Sequence, residues 1–129
     1  MSESAHPIVG VWIVHAAGAP FEHHVMLFHA DGTMVQSNPD AGNPATSDSS
    51  GLGVWQPEGL VVRGRFVEIT ADRVTHAARC RGEISFVIRV RGDELDGTCE
   101  TRFVDLATEA PGPSSRGTLT GTRLRPFSE

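Results

Sequence analysis

Between Thr75 and Arg91 polar and apolar side chains alternate: Arg79, Arg81, Glu83, Arg89 and Arg91 fall on odd positions, and Cys80, Ile84, Phe86, Ile88 and Val90 on even ones. A period of two is that of a strand with one solvated and one buried face. The preceding stretch agrees, with Arg63 and Arg65 on one side and Val62, Gly64 and Phe66 on the other. The two segments meet at a short turn, Thr70 to Arg73, and are expected to form a β-hairpin. Pairing their inward faces through that turn sets Glu68 opposite His76, a carboxylate and an imidazole on the inner surface beside a loop end.

The rest of the chain is patterned in the same way. Ile8 to His15 is apolar on both faces apart from its last residue, as a strand covered on both sides would be. Glu22 to Ala30 places His24, Met26 and Phe28 on one face, and Asp31-Gly32 turns the chain into a third strand, Thr33 to Ser37. Asn38 to Gly51 has no bulky apolar residue and reads as a long loop. Leu52 to Gln56 resumes a strand, and a turn at Pro57-Glu58 puts Trp55 on the inner face with Leu60 and Val62. Gly92-Asp93 is a two-residue turn into Glu94 to Asp105, with Leu95, Gly97, Cys99, Thr101 and Phe103 inward. Leu106 to Ser114 is a second long loop, and Ser115 to Pro126 a last strand.

About eight strands in up-and-down order, with no helix longer than about a turn, predict an all-β chain whose open edges are removed by closure into an antiparallel barrel. Three tight turns lie at one end. The 17–21 loop, the 38–51 loop, the turn beside Glu68 and His76, and the 106–114 loop lie at the other. A closed floor and a lidded mouth follow, with 38–51 as the lid.

At 129 residues, residues 1–129 make one domain able to bury a core without staples. The 14 glycines and 8 prolines fall mostly between β-like runs, which favours strands over helices. A net charge of −5, without a basic patch, argues against a nucleic-acid partner. The N-terminus shows no basic region followed by an apolar core, and no run reaches the length of a membrane span. Cytoplasmic residence without a membrane partner is expected. The Gly92-Asp93 turn sets Cys99 opposite Phe86 rather than Cys80, so two free, buried thiols are expected instead of a disulfide.

Gly10-Val11-Trp12 at the start of the first strand and Gly121-Thr122-Arg123 in the last resemble the lipocalin-like (calycin) barrels. The resemblance implies a tryptophan near the closed end with a basic last-strand residue across it, here Trp12 and Arg123. It also implies an opening at the long-loop end. The chain lacks the secretion signal, disulfide and C-terminal helix of typical lipocalins, and the helical lid of fatty-acid-binding proteins. That points to the small intracellular bacterial-type barrels, which include carriers, isomerases and cyclases.

Glu68 and His76 are the candidate general acid/base pair, since a carboxylate accepting from one imidazole nitrogen leaves the other basic near neutral pH. The plainer alternative is a rim ion pair. His24, inward by parity, is placed to polarise an oxygen. With Glu68 and His76 it would make a two-histidine, one-carboxylate set, but nothing in the spacing demands a metal or other cofactor, and none is expected. Trp55, Met26, Phe28, Phe66, Phe86 and Phe103 line the interior if it is hollow and fill it if it is solid. Inward Gly64, Gly82 and Gly97 either leave space or mark the bends that closure needs. The expectation is a cofactor-independent isomerase or cyclase acting on a small, mainly apolar, polyketide- or terpenoid-like molecule. The alternatives are a non-catalytic carrier of such a molecule and a solid barrel acting through its surface. Expected partners are a small hydrophobic molecule and, at most, a second copy of the chain.

Overall fold

A computed structural model describes residues 5–18, 22–39 and 44–127. Among these are nine strands: β1 (Gly10–Ala17), β2 (His23–Phe28), β3 (Thr33–Ser37), β4 (Thr46–Asp48), β5 (Gly51–Glu58), β6 (Val61–Asp72), β7 (Ala78–Arg91), β8 (Glu94–Asp105) and β9 (Pro111–Arg123). All neighbours pair antiparallel. The order runs β6-β5-β3-β2-β1-β9-β8-β7, and β6 also pairs with β7, which closes an eight-stranded barrel. The architecture is compatible with a lipocalin-like barrel. Among the described residues no helix is long and apolar enough to cross a membrane.

The ninth strand lies inside the stretch expected to be one long loop. β4 pairs with the end of β6, Thr46 with Asp72 and Asp48 with Thr70, while β5 pairs with the same strand further back, Leu52 with Val67. One residue of offset separates the two registers, the mark of a β-bulge. Ser49 fills the bulge: Ile69 N donates to its Oγ (2.9 Å), and Ser49 N donates to Ile69 O (2.9 Å). Strand pairing here runs on backbone and small polar side chains, so a segment without apolar residues still joins the wall. Of the expected 38–51 lid, 46–48 and Gly51 belong to strands, and 40–43 lie outside the described residues.

The floor is built as the resemblance implied. Ile8 and Trp12 are fully buried, the Trp12 indole donates to Ile8 O (2.8 Å), and the Arg123 guanidinium lies 4.4 Å from the Trp12 ring centre. Arg123 donates to Val9 O (3.0 Å) and to Pro7 O, tying the N-terminal segment across the barrel end. Gly10 has φ +131°, and a β-carbon there would meet Arg123 Nη1 at 3.2 Å, so the motif's glycine makes room for its arginine. The β5–β6 turn sits two residues later than expected. Glu58 pairs with Val61 around Gly59-Leu60, with Gly59 at φ +64°, so Pro57 stays in the strand and Leu60 is exposed rather than inward.

The β6–β7 hairpin departs most from expectation. Glu68 pairs with Gly82, not His76. The cause is Asp72, whose Oδ1 accepts from Val74 N (2.9 Å) and Thr75 N (2.8 Å), while Arg79 donates to its Oδ2 (2.8 Å). These bonds hold Arg73–Ala77 as the turn and carry β6 to Asp72. The partner of Glu68 thus moves six residues along the chain, an even number, so the inward assignments of Val62 to Glu68 and Cys80 to Val90 survive, while Ala78, beyond a register shift at Thr70/Ala71, is exposed.

Candidate functional site

A cavity of about 450 Å3 opens at the end opposite Trp12, within the range of small-molecule sites. Its walls differ. One is apolar and thiol-bearing, formed by Val14 and Ala16 of β1, Ile84 and Phe86 of β7, Cys99 and Phe103 of β8 and Leu119 of β9. The other carries a polar band drawn from four strands: His24 from β2, Gln36 and Asn38 on and just after β3, Thr46 and Asp48 from β4, and Glu68 and Thr70 from β6. Met26 and Phe66 complete the lining.

Of the nine residues expected at the site, six line the cavity, two lie beneath it, and His76 belongs to neither group. His24, Glu68, Met26, Phe66, Phe86 and Phe103 line the cavity. Phe103 is half-exposed at the rim and lies over Gly82, where a β-carbon would meet its ring at 3.2 Å. Trp55 and Phe28 do not line it. Trp55 is buried below, its indole donating to His29 O (3.0 Å) and Thr33 O (3.1 Å), and Phe28 packs edge-on between Trp55 and Phe86. The parity of both was inward as expected, but they sit near the tight-turn end, where inward means floor. His76 is exposed, at φ 62° in the Asp72 turn, and does not pair with Glu68. The expected acid/base pair therefore does not form.

The inward glycines are not the source of the space. A β-carbon on Gly64 would lie 2.3 Å from Phe86 Cζ, so the Phe86 ring occupies that notch; on Gly97 it would lie 2.0 Å from Val87 O, a close approach of neighbouring strands. The room comes from short side chains, Ala16, Thr46, Thr70, Cys80, Cys99 and Thr101, ringing the cavity wall.

Within the polar band Gln36 is fully buried. Its Nε2 donates to Asn38 Oδ1 (3.1 Å) and lies 2.5 Å from His24 Nδ1. An amide nitrogen only donates, so with this amide orientation His24 Nδ1 accepts and the ring carries its hydrogen on Nε2. Gln36 Oε1 is buried without a hydrogen-bond partner. Thr70 donates to Asp48 Oδ1 (2.7 Å).

Among the described residues Glu68 has no hydrogen-bond or ion-pair partner. Burial, and secondarily the nearby Asp48 carboxylate, push its carboxyl up from the usual range to about 7. Burial also raises the Cys99 thiol, which disfavours a reactive thiolate. Both cysteines are free, and Cys99 stands opposite Phe86 as the turn required, with Cys80 opposite Asp105. Among the described residues no cluster of three or more His, Cys, Asp and Glu is arranged to hold a metal.

Gln36, Asp48 and Asn38 were missed. Gln36 shares parity with Met34 on β3 and so was legible as inward. Asp48 was hidden in a segment without apolar residues. No family model, no curated protein and no solved structure matches this chain, so its chemistry is read from this geometry alone.

Proposed function

We propose that the barrel, a cytoplasmic member of the lipocalin-like type, holds one small amphipathic molecule in the cavity and acts on it by proton transfer, as a cofactor-independent isomerase or cyclase. The observation that carries this reading is Glu68: a carboxyl on the polar band of a cavity whose facing wall is apolar, without an ion pair among the described residues and poised to exist in both forms near neutral pH. His24, held by Gln36, lines the same wall and is the proposed group that polarises a substrate oxygen. Phe66, Phe86 and Met26 hold the apolar body. His76 has no part in it.

The test is native mass spectrometry after exposure to a mixed extract of hydrophobic metabolites, followed by assay of the retained compound. Glu68→Gln is expected to keep binding and to lower turnover by about 100-fold or more, the usual contribution of one acid/base group. Retention without conversion by the wild type would select the second reading, a carrier, which is favoured by the exposure of His76. A second copy of the chain is the proposed protein partner, through an uncharged apolar row on the outer wall; no role for nucleic acid or a membrane is proposed.

A further inference from the structure

We propose that the ligand is a cation, an apolar molecule bearing a protonated amine whose ammonium group seats against the band formed by Gln36, Asp48 and Glu68. The inference rests on the reading of the cavity as a ligand site and adds the class of ligand. Its first ground is the sign of the lining. Among the described residues two carboxyl groups, Asp48 and Glu68, line the cavity, and of the chain's 11 basic residues none is among the lining residues. A carboxylate or phosphate ligand would be drawn into apolar surroundings beside two acids with no cation to meet it, an arrangement that low dielectric makes costly.

The second ground is independent of charge. Gln36 Oε1 is an acceptor, fully buried and without a partner. A buried acceptor left unmatched costs free energy that a ligand donor would recover. Both Gln36 amide hydrogens are already committed, to His24 and Asn38, so the open valence of this side chain asks for a donor and not an acceptor. An ammonium carries three N–H donors, enough for Gln36 Oε1 and a carboxylate together.

Glu68 then acquires a defined response. Among the described residues the other titratable groups lining the cavity are Asp48 from β4 and His24 from β2 on its own side, and Cys80 from β7 and Cys99 from β8, none of them a fixed cation. An arriving ammonium supplies the missing positive charge and favours the ionised carboxyl, so the proton of Glu68 passes to solvent on binding. The bound ligand thereby turns Glu68 from an acid into a base beside it.

Calorimetric titration of the whole chain with naphthylethylamine, naphthylethanol and naphthylacetate separates the cases. The amine is expected to bind at least about tenfold more tightly than the alcohol at pH 7, and the acetate not at all. Amine affinity should rise as pH goes from 5 to 7, by up to about tenfold per unit because one proton is released, and then level off. Titration in two buffers of different ionisation enthalpy reads that proton directly, and Glu68→Gln should remove both the proton and the pH dependence. Equal binding of amine and alcohol, or tighter binding of the acetate, overturns the cation inference and leaves the cavity reading intact. If no probe binds, both fall together.

Discussion

At the scale of single residues, Glu68 is set against the stability of the fold that holds it. Its carboxyl titrates at about 7 in the folded chain and in the ordinary carboxylate range, near 4.5, once unfolded. Below pH 4.5 both states hold the proton and the residue is neutral in effect. Between 4.5 and 7 the unfolded chain releases its proton first, so stability falls as pH rises through this window and stays lowered above it. After allowance for partial solvent exposure the deficit is on the order of 1–2 kcal/mol. Glu68→Gln should therefore raise the unfolding free energy by that amount at pH 8 and by almost nothing at pH 4, read by urea denaturation at the two pH values. Equal effects at both would mean the carboxyl is not held protonated by the fold. Residues of this kind are half legible in sequence. Alternation places Glu68 and His24 inward, because a strand admits only two faces. How far along the barrel axis each sits depends on turn lengths, which is why Trp55 and Phe28 went to the floor.

At the scale of elements, the mouth is shaped by one turn used twice. Asp72 and Asp105 each accept backbone N–H bonds from residues two and three positions on, Val74 and Thr75 in one case, Ala107 and Thr108 in the other. His76 N and Glu109 N donate back to those aspartates' carbonyls, and His76 and Glu109 alone among the described non-glycine residues have positive φ, 62° and 60°. The backbone N–H bonds hold the Asp72 and Asp105 carboxyls below their usual range. Both turns share the pattern Asp-x-x-Thr-x-Ala, in Asp72–Ala77 and Asp105–Ala110. This repeat was the available sign that the hairpin turns after Asp72, and alternation alone does not register it, because it is a local hydrogen-bonding pattern with no hydrophobic period. His76 is thus a backbone position. His76→Gly should stabilise the fold by roughly 1 kcal/mol by relieving a left-handed conformation, with ligand retention unchanged. A loss of stability, or of binding, would restore a role for the imidazole.

At the scale of the whole molecule, closure was legible because eight alternating segments with open edges have few other solutions, whereas the outer surface was not. Ile8 to His15 read as a strand covered on both faces, yet among the described residues no element packs over its outer one, and Ile13 is exposed. Pairing runs an apolar row straight across five strands, Val11 to Leu27 to Val35 to Leu52 to Val67, with Ile13 opposite Val25 beside it. Leu52 is 64% exposed and Ile13 and Val25 each 45%. The far wall carries ion pairs instead, Arg81 and Arg102 with Glu83, and Arg116 with Glu100. Five strands span roughly 20 Å, the breadth of the apolar centre of an interface burying about 800 Å2 per partner. Two copies related by a two-fold axis would present the same uncharged row to each other. Sheet would pack on sheet without opposing like charges, despite the net charge of −5. The chain should accordingly sediment as a dimer at micromolar concentration. Leu52→Asp should sediment as a monomer with an unchanged circular dichroism spectrum, because the side chain points away from the core. A wild-type chain that stays monomeric at millimolar concentration would leave the row without this occupant.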